Sequence, residues 1–147
     1  MTARNEAKRQ EISDYLNDFL EEFNKETDRA AAVLAASLLD EHLRKLLAAF
    51  LIDDESETKE LLEVEKPLGN FGARIRAAYC LGLISPDEYH DLKLIQRIRN
   101  QFAHRLLRIS FESVQIRDRC LSLEIPQKLV IRPLRQDLQI DSIKPRD

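Results

Sequence analysis

The chain has no tryptophan, only three glycines and two cysteines in 147 residues, and each scarcity excludes something. With so little glycine there is no phosphate-cradling loop; Gly69 and Gly72 fit neither the Walker nor the dinucleotide spacing. Cys80 and Cys120 lie far apart, outside CxxC or Cys/His ligand spacing, and read as reduced thiols of a cytoplasmic protein. His42, His90 and His104 form no HExxH pattern, and the acidic run from Asp53 to Glu65 lacks the glycine of an EF-hand. No metal and no cofactor are expected. No GxSxG occurs, and Cys80 reads as packed in a helix, not as a nucleophile. No apolar run approaches the roughly 20 residues that cross a bilayer. The opening MTARNEAKRQEISDY has no apolar h-region, so no secretory signal is expected.

What remains is helix-forming material. Hydrophobic residues make up 44% and charged residues 33% of the chain, dominated by Leu, Ala, Glu, Arg and Lys. The length suits one domain with a single core. The net charge of −3 is uneven. Glu11 to Asp28 and DDESETKELLEVE from Asp53 are acidic, whereas Lys93 to Arg108 carries Lys93, Arg97, Arg99, Arg105 and Arg108 with no acidic residue. Electrostatic attraction to phosphate needs a local excess of positive charge, and Arg97, Arg105 and Arg108 are the candidate binding residues. A duplex-DNA reader declares itself with a basic domain and a helix-turn-helix pattern, and neither is found. Direct duplex binding is not expected.

Periodicity predicts an all-α fold, a single helical bundle of about five helices with an irregular C-terminal tail. A first helix over 5–24 shows Ile12, Tyr15, Leu16, Phe19, Leu20 and Phe23 at helical spacing. Thr27-Asp28 starts a second, whose Leu34, Leu38, Leu39, Leu46, Leu47 and Phe50 mark a central element, with alanines that let a neighbour approach. The acidic segment after Ile52 reads as a loop or short exposed helix. A helix from Asn70 buries Phe71, Ile75, Ala78 and Tyr79 and ends at Gly82, where a left-handed cap is wanted. Arg74 sits at the edge of that face and should pair with an acid across the bundle. Ser85-Pro86-Asp87-Glu88 is a complete start signal, so the next helix follows in a tight hairpin. Ser113 should cap a last short helix. The bundle is expected over 1–125 and the tail over 126–147, with KLVIRPL as an extended piece.

The most informative stretch is LKLIQRIRNQFAHRL, residues 92–106, with RNQFAH at its centre. On a helix Arg99 falls among Leu92, Ile95 and Phe102, where a charge needs a partner; Asp28, Asp40 and Glu41 are the candidates. Asn100 and His104 share the face of Tyr89, Lys93 and Arg97. An arginine suits stabilising a phosphoryl charge and a histidine suits moving a proton. Against this, Arg99 and His104 lie about 140° apart on a regular helix. The two could reach one ligand only from opposite flanks, across a dimer axis, or after the helix unwinds near Phe102.

TDRAAAVLAASLLDEHLRKLL, then PLGNFGARIRAAYCLGLISPDEYHDLKLIQRIRNQFAH, then ISFESVQIRDRC together resemble the mannitol repressor (MtlR) family over about residues 28–120. The resemblance implies an all-helical cytoplasmic bacterial protein named for transcriptional regulation; because the chain offers no recognisable DNA-reading helix and no basic domain, it would act through contacts with a protein partner. RNQFAH separately resembles the R-x4-6-H motif of HEPN domains, helical bundles that often dimerise and include metal-independent ribonucleases and RNA binders. Carried over, Arg99, Asn100 and His104 would be the catalytic positions, and RNA the partner. Two readings thus stand: a regulator acting through protein contacts, and an RNA-cleaving or RNA-binding dimer. A homodimer is the default for either.

Overall fold

The computed structural model describes residues 3–105 and 109–131. The described residues are helical: α1 (Ala3–Lys25), α2 (Asp28–Phe50), α3 (Glu55–Leu62), α4 (Phe71–Cys80), α5 (Pro86–His104), α6 (Val114–Leu121) and a short α7 (Glu124–Pro126) that runs into a π-helical turn, Gln127–Ile131. The all-α reading holds. The acidic segment condenses into α3 because Asp54 caps it, accepting from the Glu57 amide at 3.1 Å. Residues 127–131 of the expected irregular tail are helical, not extended, and residues 132–147 lie outside the described ones.

Local signals set the helix boundaries. Thr27 caps α2 through the Ala30 amide and Asn70 caps α4 through that of Ala73 at 2.9 Å. Gly82 takes φ 71°, and the Leu83 amide returns to the Ala78 carbonyl at 2.9 Å, closing α4 with a left-handed turn. Both bonds of the capping box form at the head of α5, Glu88 N–H to Ser85 Oγ at 3.2 Å and Ser85 N–H to Glu88 Oε2 at 2.7 Å. Ser113 does not behave as expected: its hydroxyl accepts from the Ser110 amide at 3.0 Å and makes no bond to α6.

Two apolar clusters lie along the α2–α5 pair. One joins Leu43 and Leu47 of α2 with Leu62, Ile75, Ala78 and Leu92. The other joins Ala32 with Ile98, Phe102 and Ile116, and Phe111 stacks a tilted ring on Phe102 with centroids 5.1 Å apart. The buried alanines Ala31, Ala32 and Ala36 allow the close approach at this end. α1 contradicts its pattern. Ile12, Tyr15, Leu16 and Leu20 are exposed, because α1 meets α2 only through its C-terminal half, where Phe19 and Phe23 are half-buried.

Arg74 is the buried charge that ties the first cluster together. Its guanidinium donates to Asp40 Oδ1 on α2 at 2.7 Å, to the Leu62 carbonyl at the end of α3 at 2.8 Å, and to the Leu68 carbonyl at 2.9 Å. Replacing Arg74 by Ala strands a carboxylate and two carbonyls, and should cost about 3–5 kcal/mol of stability, measured by urea unfolding. Arg74→Lys should recover only part, since a single ammonium cannot reproduce a planar fork. A loss under about 1 kcal/mol for Arg74→Ala, the size of an ordinary substitution, would remove Arg74 from this role.

Candidate functional site

The RNQFAH segment lies on the last turns of α5, which stays helical through His104 and closes with the Arg105 amide on the Gln101 carbonyl at 3.1 Å. Phe102 is fully buried and anchors this end. Arg99 does not enter the core. It is exposed, and its Nη1 donates to the Asn100 side-chain oxygen at 3.1 Å. The three acids expected to pair with it are engaged elsewhere. Asp40 holds Arg74, Glu41 holds Arg44 at 2.8 Å, and Asp28 accepts from the Phe111 amide at 2.9 Å.

The reason is the reach of α4. It runs antiparallel to α5, with Tyr79 stacked on Tyr89 at 4.2 Å and Gly72 against the Gln96 side chain. The flank of α5 beyond Gln96 passes the end of α4 and meets solvent. Arg97, His104 and Arg105 are exposed as well, and Asn100 is half-buried. The Arg105 carbonyl accepts from Arg29 of α2. Arg108 lies outside the described residues. Because α5 does not unwind, Arg99 and His104 remain about 140° apart around one helix. One chain does not bring them together; a site using both would draw on two chains.

Nearer the head of α5, Tyr89, His90, Lys93 and Arg97 line a shallow cleft. With Arg97 leading on to Asn100 and His104, this face forms a basic ridge with aromatic interruption, suited to an anionic surface.

On another side of α5 a groove of about 380 Å³ opens between α2, the α4–α5 turn and the Leu123–Pro126 segment. Leu39, Leu43, Leu46, Ile84, Leu92, Ile95 and Ile125 give it aliphatic walls. Its polar side chains are His42, Glu88 and Asp91. His42 is exposed, and its Nδ1–H donates to the Leu38 carbonyl at 2.7 Å. Glu88 serves the capping box and Asp91 serves α7. A polyol asks for a donor or acceptor at each hydroxyl, and these walls offer almost none. The groove is not built for a sugar. Among the described residues no group of three His, Cys, Asp or Glu is placed to hold a metal. Cys80, expected to be packed, is exposed, while burial raises the pKa of Cys120.

Asp91 escaped sequence reasoning, although its spacing from Ile95, Ile98 and Phe102 put it on the buried face. It accepts the Glu124 and Ile125 amides at 2.8 and 2.9 Å, capping α7 and fastening it to α5, with His90 Nδ1 at 3.1 Å. Burial alone would raise the pKa of this carboxyl; the two amides and His90 outweigh it and hold it below the ordinary value. A lowered folded pKa means that the fastening is fully present above the unfolded value of about 3.9 and is lost as pH falls through the lower folded one. The Glu124 and Ile125 amide resonances should therefore titrate with a midpoint below about 3.9. Asp91→Ala, losing bonds to a charge worth about 1.5–3 kcal/mol each, should speed exchange of both amides at least ten-fold. Unchanged exchange would detach α7 from Asp91.

Comparison with known proteins places these features in a lineage. The family described as mannitol repressor, MtlR, matches residues 15–143. The chain is 31% identical over 93 residues to the mannitol operon repressors of Escherichia coli strain K12 and of strain CFT073, a match covering 60% of this chain and 48% of each relative. It thus spans about half the length of the curated relatives it matches. A solved X-ray structure of the MtlR–HPr complex from Escherichia coli is similar to it with a TM-score of 0.64 at 26% identity, covering 84% of this chain and 83% of that one.

Proposed function

The chain belongs to the mannitol repressor family, and from that premise we propose that it is a cytoplasmic regulator of transcription that acts through a protein partner without reading duplex DNA itself. The observation that carries this reading is the likeness to a relative solved together with the protein HPr. Surface charge supports it. α1 and α3 present Glu11, Asp14, Asp18, Glu55 and Glu57 to solvent, which opposes a phosphate backbone. Among the described residues no helix is long and apolar enough to cross a membrane. The basic ridge of Lys93, Arg97 and Arg105 is the surface that an acidic partner would use.

A second reading is favoured by one specific observation: Arg99 is not consumed by the core but stands in solvent, oriented by Asn100, which itself lies one helical turn from His104. In that reading the chain is a metal-independent ribonuclease or an RNA-binding dimer, with Arg99 on the phosphate, His104 moving the proton of the attacking 2′-OH, and Asn100 positioning Arg99.

Two assays separate the readings. Titration calorimetry with purified HPr of the source organism should show saturable binding, weakened by Arg97→Glu, and the chain alone should not retard duplex promoter DNA. The absence of HPr binding together with sequence-specific retardation would overturn the regulator reading. Incubation with single-stranded RNA and tRNA in EDTA should leave both intact. Cleavage that folded His104→Ala lacks would instead establish the ribonuclease.

A further inference from the structure

α1 carries an apolar stripe that α2 covers only in part. Ile12, Tyr15, Leu16 and Leu20 are between 45% and 53% exposed. Phe19 and Phe23, half-buried, continue the stripe with ring centroids 5.9 Å apart. At 100° per residue the six side chains fall within an arc of about 140°, the width a helix buries against a neighbour. An apolar surface of this kind in water marks an interaction site.

The charges along α1 identify its occupant. From Glu11 to Asn24 every charged side chain is acidic, while the preceding turn offers Lys8 and Arg9. Lys8 and Glu22 flank the same edge of the stripe. The helix is thus basic at Lys8 and Arg9 ahead of the stripe and acidic along it, while Lys25 behind it pairs with Glu22 of the same helix at 3.3 Å. The excess of each sign is complementary to itself only when the helix is reversed.

We propose that the stripe is covered by α1 of a second copy of this chain, the two helices running antiparallel about a two-fold axis near Leu16. In this register Leu16 meets its own copy, Ile12 meets the partner's Leu20, and Lys8 lies within one turn of the partner's Glu22. Parallel pairing would set Lys8 level with the partner's Lys8 and align the acidic turns along their whole length. The overlap, from Lys8 to Asn24, is about 25 Å long. One helix pair of that length buries less than the roughly 1,200 Å² of a standard stable interface, so the dimer forms reversibly with concentration. It is independent of the regulator reading: its failure would leave HPr binding untouched.

Sedimentation equilibrium of the full chain over a wide concentration range tests it. The wild type should shift from monomer to dimer, and Leu16→Glu should stay monomeric at every concentration with its thermal midpoint unchanged, because Leu16 lies outside the core. Lys8→Glu should weaken the dimer a few-fold, the size of an exposed charge pair at the edge of an interface, and Lys8→Glu/Glu22→Lys should restore it. Direction is read by oxidation in a Cys80→Ser/Cys120→Ser background. A mixture of Ile12→Cys and Leu20→Cys chains should cross-link as the mixed pair in preference to either chain alone. A wild type monomeric at all concentrations, a dimer indifferent to Leu16→Glu, or Ile12→Cys linking preferentially to itself would each overturn the proposal.

Discussion

The fold turns on a single buried guanidinium. Arg74 reaches α2 through Asp40, the end of α3 through the Leu62 carbonyl, and the turn before α4 through the Leu68 carbonyl. Two of these acceptors are backbone carbonyls that would otherwise sit in the interior without donors. The turn that offers them is tight. Glu65 adopts φ 68°, and a Cβ on Gly69 would stand 2.3 Å from the Glu63 carbonyl oxygen. The chain can fold so closely here because Gly69 has no side chain, and the closeness is what puts both carbonyls within reach of one fork. With α3 and α4 so placed, Leu62, Ile75 and Ala78 complete the cluster on Leu43 and Leu47.

That choice of buried cation has a consequence on α5. Asp40 is spent on Arg74, Glu41 on Arg44, and Asp28 on the Phe111 amide. No carboxylate of α2 is left to draw Arg99 inward, and α4 ends level with Gln96. The cations of α5 therefore face water, while its buried face keeps one charge, Asp91, whose two lone-pair directions hold α7. A single helix thus carries a structural anion inside and a field of cations outside. The groove beside Asp91 and the ridge on the far flank owe their positions to the same register.

Signals that act over a turn were readable from the residues: Thr27 and Ser85 as caps, Asn70 as the start of α4, Gly82 as a left-handed stop, Pro86 and Glu88 as the start of α5. The two long core helices were readable too, from leucine and alanine spacing, and Arg74 was placed correctly at the edge of α4 facing an acid. What failed required knowing which element ends where. Arg99 looks interior on a helical wheel, because the wheel does not know that α4 stops short. Ile12, Leu16 and Leu20 look like core for the same reason: periodicity shows that a face is apolar, not that this chain supplies its cover. The acidic segment after Ile52 read as a loop or a short exposed helix, and the Asp54 carboxylate, serving as a cap, decides for the helix.

The features without an internal explanation lie on surfaces and at helix ends, not in an enclosed cavity. The apolar groove repels a polyol, and the polar atoms around it are largely committed to capping and docking. The RNQFAH trio is divided around one helix, so that any chemistry shared by Arg99 and His104 passes through a second chain. The apolar face of α1 calls for a second chain on separate grounds. Assembly is therefore the condition on which both readings of the α5 cations depend. An RNA-cleaving pair needs two copies to complete a site, and a regulator that works through protein contacts needs a partner. A second copy completes the first kind of assembly, and a partner of another kind completes the second.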